Sequence, residues 1–199
     1  MPVRIAEAIP QQNFEAISLF IASQLLLELD NQKVLQGFEE DFGVFLERGT
    51  SVDARESDVV LSVLFSSMNL DSKTQFDAMY IGSYFIDVYT SGKADPTTSG
   101  DRVTGLLLMK YLGLCRYIFE SHKLKDSIPP DLRLNMSVIS INTLDPTNNQ
   151  DANFSRMGRL VLEIKFVESQ DVFLGVLLDN NFTNIKLQDT DDGYQLILN

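Results

Sequence analysis

The chain has 199 residues, 44% of them apolar and 10% aromatic, with 28 Asp and Glu against 16 Lys and Arg for a formal charge of −12. A globular domain of this size buries roughly 70% of the surface its unfolded form exposes, so it can fold without metals or disulfides. The acidity weighs against nucleic acid and anionic membranes as bound partners, because phosphate affinity rests on Lys and Arg, and Cys115, the one cysteine, excludes an internal disulfide.

The opening Met1-Pro2-Val3-Arg4-Ile5-Ala6-Glu7 lacks the charged-then-apolar order of a secretion signal. No apolar run approaches the roughly 20 residues of a membrane span. A cytoplasmic protein, not integral to a membrane, is the expectation. After Pro10, apolar residues recur at Phe14, Ile17, Ile21 and Leu25, widened by Phe20, Leu27 and Leu29, which predicts an amphipathic helix over 11–29 that stops in Asp30-Asn31-Gln32. The period then becomes two. Phe38, Phe42, Val44 and Leu46 oppose Glu39, Asp41 and Glu47, with Glu40 out of pattern, as in a half-buried strand.

A second strand is expected over 57–66 and a third over 79–90. The third carries Tyr80, Tyr84, Ile86 and Val88 on one face and Ile81, Phe85 and Tyr89 on the other, as a central strand covered on both sides does. The turn-rich segment Ser91 to Gly100 leads to a Ser99 N-cap and a long helix. Val103, Leu107, Tyr111, Leu114 and Ile118 mark its buried face, Leu106, Leu108, Met109 and Cys115 thicken it, and the pattern ends at Ser121-His122. Gly105 and Gly113 weaken this helix, and close packing on the sheet would explain them.

Past Pro129-Pro130, a strand over 132–142 switches parity near Val138-Ile139, as a bulge would make it do. After the polar loop Asp145 to Asn153, Leu160, Leu162, Ile164 and Phe166 alternate with Arg159, Glu163 and Lys165. The apolar segment 172–178 fits either a helix or a strand. Asp192-Gly193 suits a tight turn between strands at 183–188 and 194–198. Helix, strands, helix, strands and a β-rich tail define an α+β fold: a mostly antiparallel sheet of about five strands with two helices packed on it. Residues 1–167 form the domain, and 168–199 a C-terminal extension packed on it.

The chemistry of catalysis is thin. His122 is the one histidine, suited to a helix C-terminus or the surface. No Gly-x-Ser-x-Gly elbow is present, Cys115 lies among apolar residues, and Cys/His zinc sites fail by count. Ser91-Gly92-Lys93 is not a phosphate loop, because Asp87 stands where the first glycine belongs and Ala94 where a hydroxyl does. Asp189-Thr190-Asp191-Asp192-Gly193 reads as a charged turn better than as a calcium loop. Asp87 and Glu163 are candidates for acid-base work only if neighbouring strands bring them together. No cofactor is implied.

Charge is uneven. Arg102 to Arg133 carries +3 and Glu168 to Asn199 carries −5, a polarity that fits head-to-tail self-association and ordinary solubility equally well. The N-terminal helix, the strand Tyr84-Phe85-Ile86-Asp87-Val88-Tyr89 with its Gly/Pro/Thr loop, the helix ending Arg116-Tyr117-Ile118-Phe119 and the strand Arg159 to Phe166 resemble the tail terminator (tail-completion) proteins of tailed bacteriophages. The likeness spans about residues 11–167; the last 30 or so residues exceed the family pattern.

The resemblance implies a non-enzymatic virion protein of the tail or neck. It would cap the tail tube as a homo-oligomeric, usually hexameric, ring, end tube growth and offer a surface to the head connector. Its partners would be the tail tube protein and a neck protein, with genomic DNA crossing an acidic lumen without specific binding. Candidate contacts are Lys93 and Asp95 in the first long loop, Asn148 in the second, and Arg102, Arg116 and Arg159 as donors to a neighbour's carboxylates. Another head-tail joining protein, or a small-molecule-binding α+β domain, are the competing readings, with a carboxylate enzyme a third.

Overall fold

A computed structural model describes residues 11–48, 57–73, 77–92, 100–121, 124, 128, 135–144 and 154–169, together with the backbone of 185–190 and 193–198. Its elements are α1 (Asn13–Gln36), β1 (Phe42–Leu46), β2 (Val59–Lys73), β3 (Asp77–Gly92), α2 (Gly100–Glu120), β4 (Asn135–Leu144), β5 (Phe154–Ser169), β6 (Ile185–Thr190) and β7 (Gly193–Leu198). The strands form one sheet in the order β4-β5-β3-β2-β1-β7-β6. Every pairing is antiparallel except β1 with β2, which run parallel. Their connection, Glu47 to Asp58, is about the dozen residues a parallel crossover needs. The fold is α+β.

Both helices lie on one face of the sheet. Val59, Leu61 and Val63 of β2, Tyr84, Ile86 and Val88 of β3, and Leu160, Leu162, Ile164 and Phe166 of β5 join Ile17, Ile21, Leu25 and Leu29 of α1 and Leu108, Tyr111, Leu112 and Cys115 of α2 in one core. The strict alternation of β5 is thereby explained. In β4 the register shifts between Val138 and Ser140. Met136 and Val138 pair with Ile164 and Leu162 before the bulge, and Ile141 pairs with Leu160 after it; the parity switches as expected, but only Met136 is fully buried, while Ile139 and Ile141 stay 55% and 40% exposed near the sheet edge.

The first helix is longer than its apolar pattern. Glu28 accepts from Asn31 Nδ2 at 3.2 Å and Gln32 Nε2 at 2.8 Å, and Gln36 Nε2 donates to Gln32 at 2.7 Å. These i,i+3 and i,i+4 pairs carry the helix through the polar residues expected to end it. It stops at Gly37, whose φ of 64° gives the left-handed turn and whose N–H bonds to the Lys33 carbonyl. At the other end Gln12 supplies no side-chain cap; Glu168 of β5 accepts from Asn13 N at 2.9 Å instead. Burial first, then Glu15, pushes the Glu168 carboxyl up, against the pull of the Asn13 and Phe14 N–H groups.

The strand expected from Phe38 begins only at Phe42. Phe38 packs edge-on to Tyr111, with ring centroids 6.0 Å apart. Lys110 holds the stretch from α2: its ammonium lies 3.9 Å from the Phe38 ring centroid and 3.0 Å from Glu40 Oε1. Glu40, out of pattern for a strand, is here an ion-pair partner.

The close approach of α2 to the sheet is made by Gly158 rather than by the glycines of the helix. A Cβ on Gly158 would lie 2.7 Å from Leu112 Cδ1, whereas one on Gly105 would lie 3.8 Å from Arg156 and one on Gly113 would meet nothing within 4 Å. The C-terminal strands β6 and β7 pair with each other, and β7 adds to β1 at Phe45↔Gln195 and Leu46↔Tyr194. The extension thus enlarges the sheet to seven strands. Residues 172–178 and the Asp191-Asp192 turn lie outside the described residues, as do the Ser99 cap, His122 and 132–134. No helix among the described residues is long and apolar enough to cross a membrane.

Candidate functional site

Three surfaces carry what the core does not use. The first is the sheet face away from the helices. There the register sets Ser62, Asp87 and Arg159 side by side on β2, β3 and β5. Arg159 donates from Nε at 2.6 Å and from Nη2 at 2.7 Å to the two oxygens of Asp87, and its guanidinium lies 4.3 Å from the Phe85 ring centroid. Glu47, at φ 55°, turns the chain after β1. This turn brings Arg48 back along the sheet, where its guanidinium lies 4.5 Å from the Phe45 ring centroid and its carbonyl accepts from Ser62 Oγ at 2.9 Å. Burial, followed by the charge of Asp87, pushes the Tyr89 hydroxyl up.

This face is a cross-strand clamp. The Asp87 carboxylate receives both arms of a bidentate guanidinium. Glu163 lies opposite Ser83, four positions along β5 from Arg159, or roughly 13 Å at the rise of a strand. Asp87 and Glu163 therefore do not meet as an acid-base pair. Among the described residues no group of three His, Cys, Asp or Glu side chains is placed to hold a metal. Cys115 is buried, and burial pushes its thiol up to about 12.

The second surface is the outer side of α2. Leu106 and Met109, expected to thicken the buried face, are 64% and 63% exposed, and Tyr117 is 77% exposed. They share that side with Gly113, Arg102, Arg116 and Glu120, all exposed. The sequence signal that marks them is an alternation of four and three residues through 102, 106, 109, 113, 116 and 120, running opposite the core positions Leu108, Tyr111, Leu112 and Cys115.

The third surface is an arm. β1 accompanies β2 only as far as Val63, yet β2 continues to Lys73, with β3 and β5 beside it to Asp77 and Ser169. Ten residues of strand, roughly 33 Å, thus extend beyond β1. The base is pinned under the start of α1: Phe65 packs on Phe14 at 5.1 Å and on Tyr84 at 5.5 Å between ring centroids, and Tyr84 Oη donates to the Phe14 carbonyl at 3.2 Å. Two register shifts bend β2, between Phe65 and Ser67 and between Leu70 and Ser72. Residues 69–73 of β2 are exposed, including Leu70 at 54%, and Lys165 reaches Asp71 at 3.1 Å.

Of the residues singled out from the sequence, Lys93, Asp95 and Asn148 lie outside the described residues. Arg102 is exposed at the start of α2. Arg116 is exposed one turn before Glu120, which accepts from it at 3.4 Å. The guanidinium of Arg159 is engaged within the chain by Asp87. Sequence reasoning missed the Lys110–Glu40 pair and the outer part of the arm, whose mostly polar residues 66–73 offer only Met68 and Leu70 as an apolar alternation. No family model matches the chain, and no curated protein matches it.

Proposed function

We propose that the chain is a structural, non-enzymatic virion protein that closes the end of a phage tail tube. It assembles as a homo-oligomeric ring, hexameric in the likeness described above, stops tube growth and offers its far side to a neck protein of the head connector. Genomic DNA passes through the acidic lumen without specific binding.

The observation that carries this reading is the arm. Its helix side packs into the core through Phe65, Tyr80, Ile164 and Phe166, but its outer β2 edge is exposed over 69–73, and the backbone of that edge is suited to lie against a neighbouring chain. The uneven charge of the chain fits the same head-to-tail arrangement. The test mixes the purified protein with tail tubes under negative-stain microscopy. Protein bound at tube ends, lost when 66–73 of β2 and its partner strand are shortened as a matched pair, supports the reading; bare tube ends contradict it.

A further inference from the structure

α2 bears two seams, and the core uses one. On the other, Arg102, Leu106, Met109, Gly113, Arg116 and Glu120 follow the a/d spacing of a coiled coil. A lone subunit gains nothing from it: Leu106, Met109 and Tyr117 stand in water. Gly113 costs the helix about 1 kcal/mol relative to Ala, although no neighbour within 4 Å demands its small size.

The seam is complementary to itself when inverted. Counted outward from the level of Tyr111, Arg102 and Glu120 are equally distant, as are Met109 and Gly113, and Leu106 and Arg116. We propose that two copies of this chain pack α2 against α2, antiparallel, about a two-fold axis at that level. Arg102 then meets the partner's Glu120, Met109 fills the space over the partner's Gly113, and Leu106 lies along the aliphatic stem of the partner's Arg116. Each layer occurs twice, as an isologous contact requires. Glu120 already accepts from Arg116 of its own helix at 3.4 Å; a carboxylate has acceptor sites enough for a second cation. A parallel pair would set Arg102 on Arg102 and leave a gap at Gly113. One helix supplies a bulky side chain and a vacancy, and a cation and an anion, which only an inverted second copy brings together.

The contact closes at two copies, so it neither builds a ring nor depends on the tube-capping reading. Met109→Cys and Gly113→Cys chains, made separately and mixed under mild oxidation, test it. The native Cys115 is buried and does not compete. The mixture is expected to form disulfide-linked dimers at least roughly tenfold faster than either chain alone, since neither single variant has its own thiol opposite. In sedimentation, wild-type chains should move with concentration from 22.4 kDa toward twice that mass. Met109→Glu should weaken this association roughly tenfold or more. Arg102→Glu should weaken it, and the added Glu120→Arg should restore it, while circular dichroism reports an unchanged fold. A cross-linking rate in the mixture no greater than in the separate chains, or no rescue by the charge exchange, overturns the proposal. Tube-end binding, scored on the same variants, reports on the capping function separately.

Discussion

Asp87 and Arg159 face each other across the β3–β5 ladder in a bidentate pair at 2.6 and 2.7 Å, with the Asp87 side chain 2% exposed and that of Arg159 32% exposed. Hydrogen bonding to Asp87 foremost holds the Arg159 guanidinium above its ordinary pKa despite its partial burial. Removing one partner strands a charge inside the sheet face. Arg159→Ala should therefore cost about 3 kcal/mol in denaturant unfolding, while the double change Asp87→Leu with Arg159→Leu should recover most of the loss. A double variant as unstable as the single one would show that the pair does more than satisfy its own burial.

Lys110 fastens the segment before β1 to α2 through Glu40 and the Phe38 ring. Burial pushes the Glu40 carboxyl up, but its own backbone N–H and the Lys110 ammonium outweigh burial and hold it below 4.5. A carboxyl depressed on folding contributes stability above its unfolded pKa, and the contribution disappears as pH falls through the folded one. Both side chains are about a third exposed, so Lys110→Met should cost about 0.5–1 kcal/mol near neutrality. That difference should shrink once the pH drops below the folded pKa of Glu40, as urea unfolding at the two pH values would reveal.

Two glycines should respond oppositely to the same change. Gly158→Ala places a methyl 2.7 Å from Leu112 and 3.3 Å from Leu108 in the packed layer under α2. It should destabilise by about 1–3 kcal/mol. Gly113→Ala fills open space on a helix and should stabilise the subunit by up to about 1 kcal/mol. Thermal unfolding of both variants checks the sign.

Cys115 sits in the core with its thiol raised to about 12 by burial. Native protein should leave it unmodified by a thiol reagent at neutral pH, with labelling tracking global unfolding across a denaturant series. Fast labelling of the native chain would place α2 less firmly on the sheet than the core contacts require.

Element type and order were readable wherever one face is buried. The alternation at Leu160 to Phe166 and the parity switch at Val138-Ile139 correspond to β5 and to the bulge of β4. What the pattern hid follows from tertiary partners. α1 runs past Asp30 because Glu28, Gln32 and Gln36 bond to one another, and Phe38 is buried by α2 rather than by a strand partner. Leu106 and Met109 are as apolar as Leu108, so composition alone places them inside; their angle around the helix axis places them outside. The arm was invisible for the opposite reason, since Ser66 to Lys73 is mostly polar, with only Met68 and Leu70 apolar, and is paired along its length by β3. Among the proposed contact residues, Arg159 was legible as a donor to a carboxylate, but the carboxylate it meets is within its own chain.

The most direct test of the capping role is tube growth itself. Tail tube protein polymerised from its initiator, with and without this protein, can be followed by electron microscopy. Growth that halts when the protein is added, with a ring of extra density at the halted end, is the predicted result. Tubes that continue to lengthen with unaltered ends in the presence of excess protein would contradict it.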